Sequence, residues 1–453
     1  MVGRLIVSIS GVRGIVGKTL TSDVALRWAL AYGTMLKSEK ENVTIAVGMD
    51  TRPSGKMFKC ATIAGVLSTG CNVVDLGIVP TPTLQLYIRE HTDGGIGITA
   101  SHNSEEWNAF KFFRANGMYV DRDRINVLKE LVESASFIQA CWDDVGMYWT
   151  DEATTMHVER IASLIDVNEI RRRRFKVAID CVNSAASTVA IPLLERLGCD
   201  IVPLNCSLNG KFTRPPEPTP ESLQELAIVV RNSGADVGFG FDADADRVVI
   251  VADGGIPLSE EMTLCVATEH VLSMRSGIVV TNISTSMAIE DIAKAYGCEV
   301  IRTPVGDLNV SAKLMEVGGV IGGEGNGGII YPPLQYARDG LCGMALILEF
   351  MAKRNEALSQ LITKFPQYCM IKRKLEGTHV GGVGEIKRRI ECLIQTADQV
   401  IDADGIKLIW HAPKRWLHLR QSGTENVIRI IAEAEDKHSA KELCDTAERL
   451  LIA

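Results

Sequence analysis

Three stretches of the chain repeat one succession of apolar and polar positions. In the first, the apolar run Val43-Thr-Ile-Ala-Val47 gives way to polar turn residues and a helical stretch, and closes on Gly70-Cys-Asn-Val-Val74. The second runs from Phe175-Lys-Val-Ala-Ile179 to Gly198-Cys-Asp-Ile-Val202, and the third from Gly277-Ile-Val-Val-Thr281 to Gly297-Cys-Glu-Val-Ile301. Short continuous apolar runs between turn signals read as buried strands. The closing glycine suits a helix C-terminus, where the backbone turns left-handed. Each stretch therefore predicts a strand–helix–strand unit, and three of them predict parallel or mixed sheets. A chance recurrence of Gly-Cys is disfavoured by its return in the same context three times.

The last stretch, from about residue 369, lacks this unit. It predicts strands near 407–411, 416–419 and 427–433 and a helix over 439–451, a smaller α+β domain. The expected division is 1–149, 150–253, 254–368 and 369–453: three similar α/β domains with mixed sheets, then the α+β domain.

Composition narrows the function. The 453 residues are 46% hydrophobic and 23% charged, ordinary for a globular protein rather than a disordered one. The formal net charge of −8 disfavours nucleic acid and acidic membranes as partners, since both are polyanions. The basic run at 171–174 reads as a solvated face. No apolar stretch reaches the ~20 residues of a membrane span, and the N-terminal segment reads as a strand, not a signal peptide. The twelve cysteines form no CxxC pair, so free thiols such as Cys181, Cys265 and Cys342 in a reducing cytoplasm are expected.

Four segments carry candidate chemistry. Asp242-Ala-Asp-Ala-Asp-Arg247 follows the apolar run 237–241 and precedes another at 248–251. Alternation by two in an extended chain would send Asp242, Asp244 and Asp246 to one side, where only a hard dication such as Mg²⁺ relieves their repulsion. An acidic surface turn fits poorly between apolar strands, and an EF-hand wants glycine where Arg247 stands. Gly97-Ile-Thr-Ala-Ser-His-Asn103 offers Ser101 as a nucleophile or phosphoryl carrier, with Lys111 ten residues on; a Ser-His pair alone is more often a turn former. A Ser-His-Asp triad is unsupported, because neighbours in an extended chain point apart. Gly322-Gly-Glu-Gly-Asn-Gly-Gly328 presents only Glu324 and Asn326, a pair suited to sugar hydroxyls, on a backbone a ligand can approach. Arg420-Gln-Ser-Gly-Thr-Glu425 combines a guanidinium, hydroxyls and glycine backbone into a phosphate cradle (Arg420, Ser422, Gly423, Thr424), with Arg429 nearby; the competing reading is a polar hairpin. Gly11-Val-Arg-Gly-Ile-Val-Gly-Lys-Thr19 misses the P-loop spacing by one residue, so Arg13 is read as a phosphate or serine-loop contact.

The serine segment (99–103), the aspartate segment (242–247), the glycine-rich segment (323–328) and the arginine segment (420–425), in that order along the chain, resemble the α-D-phosphohexomutase superfamily over essentially the whole chain. The resemblance implies four domains around a central cleft and a mechanism of phosphoryl exchange. Ser101 would be the phosphoserine, and its phosphoryl group with Asp242, Asp244 and Asp246 would bind Mg²⁺. Arg13, Lys111 and Arg247 would surround the transferring group, and His102 would assist proton transfer. Glu324 and Asn326 would hold hydroxyls, while Arg420, Ser422, Gly423, Thr424 and Arg429 would hold the resting phosphate. A hexose or hexosamine 1,6-bisphosphate would be the intermediate and activator. Glu106-Trp-Asn-Ala-Phe-Lys111 and Thr303-Pro-Val-Gly-Asp307 are most similar to the phosphoglucosamine mutases of archaeal type, which implies glucosamine 6-phosphate as substrate; phosphomannomutase/phosphoglucomutase activity is the alternative, and a non-catalytic sugar-phosphate-binding relative the third reading. A cytoplasmic monomer or homodimer is expected. Ser104, Ala243, Ala245, Gln421 and Asn426 depart from the family pattern, at prolines or glycines.

Overall fold

The computed structural model describes residues 5–376, 382–421 and 427–452. Two compact units emerge, Met1–His270 with Asn326–Gln360, and Val271–Gly325 with Leu361–Ala453. All three strand–helix–strand units are present. In the first compact unit, Thr44–Met49 and Asn72–Ile78 pair in parallel across the Gly55–Leu67 helix. Lys176–Asp180 and Asp200–Leu204 do the same across Ser187–Arg196. In the second compact unit, Val279–Asn282 and Val300–Thr303 pair in parallel across Ala288–Ala295.

The first of these pairs sits in a seven-stranded mixed sheet. Its antiparallel half contains Gly11–Ile15, between Ile6–Ser8 and Trp107–Arg114. The near-P-loop segment is therefore largely a sheet strand, not a phosphate loop. The Ser22–Glu39 helix covers the sheet, laying Trp28 and Tyr32 on Phe112 at ring separations of 6.0 and 5.2 Å. The Tyr32 hydroxyl donates to the Phe113 carbonyl (2.5 Å) and accepts from the Gly95 N–H (3.1 Å), which fixes the helix over two neighbouring strands.

A five-stranded sheet follows, with Val237–Phe241 at its centre. Apolar residues fill both faces, and Gly240 leaves room for a helix to seat: a Cβ there would lie 2.3 Å from the Leu223 side chain. The Gly340–Arg354 helix is buried along nearly its whole length. Its first turn is capped by Asp339, whose carboxylate accepts from Leu341 N and Cys342 N, each at 3.0 Å. Glu349, deep in the same helix, accepts from His270 Nε2 (2.8 Å), Asp166 N (3.0 Å) and Lys353 Nζ (2.8 Å).

The second unit ends in a five-stranded antiparallel sheet. The expected strands and helix are found at Ile406–His411, Lys414–Gln421, Val427–Ala434 and Lys437–Ile452. All twelve cysteines are free, with Cys181, Cys265 and Cys342 among the buried ones. Among the described residues no helix is long and apolar enough to cross a membrane.

Burial works to raise the Glu349 pKa, but the hydrogen bonds from His270 and Lys353 bring it down to about 2 from 4.5. A depressed folded value means that the ionised form stabilises the fold above pH 4.5, and that this contribution is lost as the pH falls toward 2. Glu349→Gln is expected to be less stable than the parent at neutral pH and to lose less on acidification through that window, as measured by urea unfolding across pH.

Candidate active site

The serine loop is a strained turn between Gly94–Ile98 and Trp107–Arg114. Ser101 is buried, with a left-handed backbone at φ 50°, a conformation costing a non-glycine residue roughly 1–2 kcal/mol. The surrounding bonds hold it there. Ser101 N donates to Thr99 Oγ1 at 3.0 Å, and Thr99 Oγ1 donates to Asp50 Oδ2 at 2.6 Å. Asp50 also grips Arg52 Nε at 3.0 Å. The Arg52 guanidinium then donates to four loop carbonyls: Ser101 (2.8 Å), Asn103 (2.6 Å), Ser104 (2.5 Å) and Trp107 (3.0 Å). Arg13 Nη1 adds a bond to Asn103 Oδ1 at 3.0 Å. Because the loop turns, Ser101 Oγ comes within 3.4 Å of His102 Nδ1, which corrects the expectation that the two side chains point apart.

Residues 242–247 are also a turn, not the extended segment expected, with Ala245 at φ 56°. The carboxylates converge nonetheless: one oxygen each from Asp242, Asp244 and Asp246 lie within 4.8 Å of one another, and all three residues are buried. Turn curvature, rather than alternation, brings them together. Asp242 Oδ2 accepts from Ser101 Oγ at 2.8 Å. Asp244 Oδ2 accepts from Lys111 Nζ and from Thr81 Oγ1, both at 2.6 Å. Asp246 Oδ2 accepts from Arg338 Nη2 at 2.6 Å, and its Oδ1 lies 3.7 Å from Arg247 Nε. Arg247 also reaches Glu217 at 3.2 Å. Two buried oxygens, Asp244 Oδ1 and Asp246 Oδ1, have no hydrogen-bond partner among the described residues.

The electrostatics follow from this crowding. Burial, then Asp246 and Asp244, push the Asp242 carboxyl well above its ordinary pKa. Burial works to raise Asp244 too, but the Lys111 ammonium beside it holds it below the usual carboxylate range. Lys111 is held above the usual lysine value, because Asp244, Tyr119 and Asp246 outweigh its desolvation. Arg247 first, then burial, Arg13 and Arg338, hold the His102 imidazole well below its ordinary value. Unpartnered hard oxygens in a buried triad are the donor set that a magnesium ion takes.

Asn326, in the first unit, accepts from Gly328 N at 3.1 Å through Oδ1. Glu324, Arg420 and Arg429 lie in the second unit. Glu324 Oε1 accepts from Asn282 Nδ2 (2.8 Å) and Gly306 N (3.0 Å). Asp404 accepts from the adjacent Val305 N (3.1 Å) and from Arg420 Nε (2.8 Å), so one network joins the two. Sheet register places Lys374 opposite Arg429 and Arg429 opposite Arg420, three cations in one row across three strands. Like charges directly opposite destabilise a sheet, and Asp404 offsets part of that repulsion at Arg420. Ser422, Gly423 and Thr424 lie outside the described residues.

Phosphoglucomutase/phosphomannomutase domain profiles match the chain in order: α/β/α domains I, II and III at residues 4–139, 155–255 and 259–368, and the C-terminal domain at 371–450. The chain belongs to this family. The phosphoglucomutase/phosphomannomutase of Thermococcus kodakarensis is 39% identical, over 97% of each chain. The phosphoglucosamine/phosphogalactosamine mutase of Sulfurisphaera tokodaii is 34% identical, over 97% of this chain and 98% of its own. A crystal structure of a family protein from Burkholderia thailandensis superposes with a TM-score of 0.85 at 27% identity, covering 98% of both chains. The chain is thus a phosphohexomutase, an isomerase that works by phosphoryl transfer, with three α/β domains and a smaller C-terminal one.

Several residues that build this phosphohexomutase site escape a local reading of the sequence. Arg52, Thr81 and Arg338 lie outside the four motifs and reach the serine and carboxylate loops only through the fold, as Lys374 reaches the cation row of the second unit. Lysine is shorter and cannot span the four carbonyls that Arg52 holds. Arg52→Lys is expected to lower kcat about 100-fold by misplacing Ser101, with a smaller change in KM, in steady-state assays.

Proposed function

We propose that this enzyme interconverts the 6- and 1-phosphates of a hexosamine or hexose through a phosphoryl group carried on Ser101. The observation that carries the reading is the Ser101 hydroxyl, 2.8 Å from Asp242 at the rim of a buried carboxylate triad. Asp242, Asp244 and Asp246, with the Ser101 side chain, would hold Mg²⁺; the two unpartnered oxygens of Asp244 and Asp246 support that fit. When bound, the ion supplies positive charge that neutralises phosphoryl oxygens.

A free hydroxyl of the sugar monophosphate attacks the phosphorus on Ser101. The bond to Oγ breaks, and His102, 3.4 Å from that oxygen, takes the hydroxyl proton and passes it to the departing Oγ. The product is a sugar 1,6-bisphosphate. After it reverses orientation, Ser101 Oγ attacks the other phosphorus, and the isomerised monophosphate leaves. Arg13, Lys111 and Arg247 stabilise the charge on the transferring group. Glu324 and Asn326 hold sugar hydroxyls. Arg420 and Arg429, with Ser422, Gly423 and Thr424, hold the phosphate at rest, and Lys374 completes the cation row.

Glucosamine 6-phosphate is the substrate that the 106–111 and 303–307 motifs favour. The 39% identity to a phosphoglucomutase/phosphomannomutase favours glucose and mannose phosphates as a second reading. Intact-protein mass spectrometry is expected to find one phosphoryl adduct on a fraction of molecules, absent in Ser101→Ala; no adduct after incubation with a hexose 1,6-bisphosphate would overturn the phosphoserine. Side-by-side kcat/KM values for glucosamine 6-phosphate, glucose 1-phosphate and mannose 1-phosphate are expected to rank the glucosamine compound first, and the reverse order would select the second reading.

A further inference from the structure

Behind the carboxylate triad lies a second buried polar cluster that the phosphoryl-transfer scheme does not use. His157, on the Thr154–Ala162 helix, is fully buried. Its Nδ1 is 2.8 Å from Thr83 Oγ1, and its Nε2 is 2.9 Å from Asp339 Oδ2. Gln335 Nε2 donates to the same Asp339 oxygen (3.0 Å) and to the Pro82 carbonyl (3.2 Å). The imidazole and the amide thus tie the start of the Thr81–His91 helix to the start of the Gly340–Arg354 helix.

Each tied point touches the triad one or two residues away. Thr81, two residues before Thr83, donates through Oγ1 to Asp244 Oδ2 (2.6 Å) and through N to the Asp244 carbonyl (2.9 Å). Arg338, beside Asp339, donates to Asp246 Oδ2 (2.6 Å), and Gly340 N donates to the Ala245 carbonyl (3.1 Å). A side chain at residue 340 would press on the Ala245 carbonyl and the Arg247 backbone, with a Cβ 2.9–3.0 Å from each, so the helix start is fitted closely to the loop. The distance between Asp244 and Asp246 is thereby set by two clamps, and His157 bridges the clamps.

We propose that His157 is a positioning residue for the metal-binding carboxylates, acting through Asp339 on Arg338 and through Thr83 on Thr81. This rests on the reading that Asp242, Asp244 and Asp246 hold Mg²⁺. Groups that orient metal ligands in this way typically govern affinity by 10–100-fold. An amide can replace either ring nitrogen separately. Glutamine places its nitrogen near the Nε2 position and keeps the Asp339 bond; asparagine is too short to reach it.

The test titrates metal-free full-length protein with MgCl₂ by calorimetry and by the Mg²⁺-dependent rise in Tm, with kcat and KM measured alongside. His157→Asn is expected to bind Mg²⁺ about tenfold or more weakly, with kcat restored at saturating Mg²⁺ and KM for the sugar phosphate little changed. His157→Gln is expected to regain most of the affinity. Thr83→Val, which loosens the ring without removing it, is expected to lose affinity in the same direction by less. His270→Asn is the control, since His270 is an equally buried partner of a carboxylate in the same helix but bonds Glu349, which binds Asp166 N. It is expected to lower Tm and leave Mg²⁺ affinity unchanged. Unchanged affinity in both His157→Asn and Thr83→Val overturns the proposal, as does an equal loss in His270→Asn. If the wild-type protein takes up no Mg²⁺, the metal assignment itself falls, and this inference with it.

Discussion

Three carboxylates cannot be buried side by side without compensation. The cost of desolvating even one unpaired carboxylate is several kcal/mol, and close neighbours of like charge add to it. The surroundings of Asp242, Asp244 and Asp246 answer that constraint. Lys111 comes from the strand after the serine loop, Thr81 from a helix start, and Arg338 from the residue before another helix. The Lys111 strand is fixed in turn by sheet pairing, and the Arg338 segment by the cap at Asp339. The compensation is incomplete by two oxygens, and that remainder is the opening for a cation.

The same economy holds the serine loop. Asp50 and Arg52 form a buried ion pair whose surplus donors all go to backbone carbonyls of the loop. A left-handed serine survives there because the surrounding bonds over-determine it. Charge is thus gathered at the two turns where phosphoryl transfer is proposed, and each turn holds a left-handed residue, Ser101 and Ala245, while the strands behind them are largely apolar.

What could be read from the sequence was local. The strand–helix–strand repeats declared themselves through short apolar runs and closing glycines. The motif residues Ser101, Lys111 and the three aspartates were legible because chemistry concentrated them in a few residues. The shape of the 242–247 loop was not, because alanine at 245 gives no sign of a left-handed backbone. Nor were Arg52, Thr81 and Arg338, which lie tens to hundreds of residues from the groups they hold and have no motif of their own. Lys374 became visible only when sheet register set it opposite Arg429.

That row of Lys374, Arg429 and Arg420 has a kinetic side. Three cations on one sheet face, with Arg420 paired to Asp404, leave a local excess of positive charge in a chain whose net charge is −8. If the row holds the resting phosphate as proposed, a doubly charged sugar phosphate is repelled broadly and attracted there, which favours encounters phosphate end first. The capture rate then depends on the Debye length of the medium, about 8 Å at physiological salt, and falls as that length shrinks.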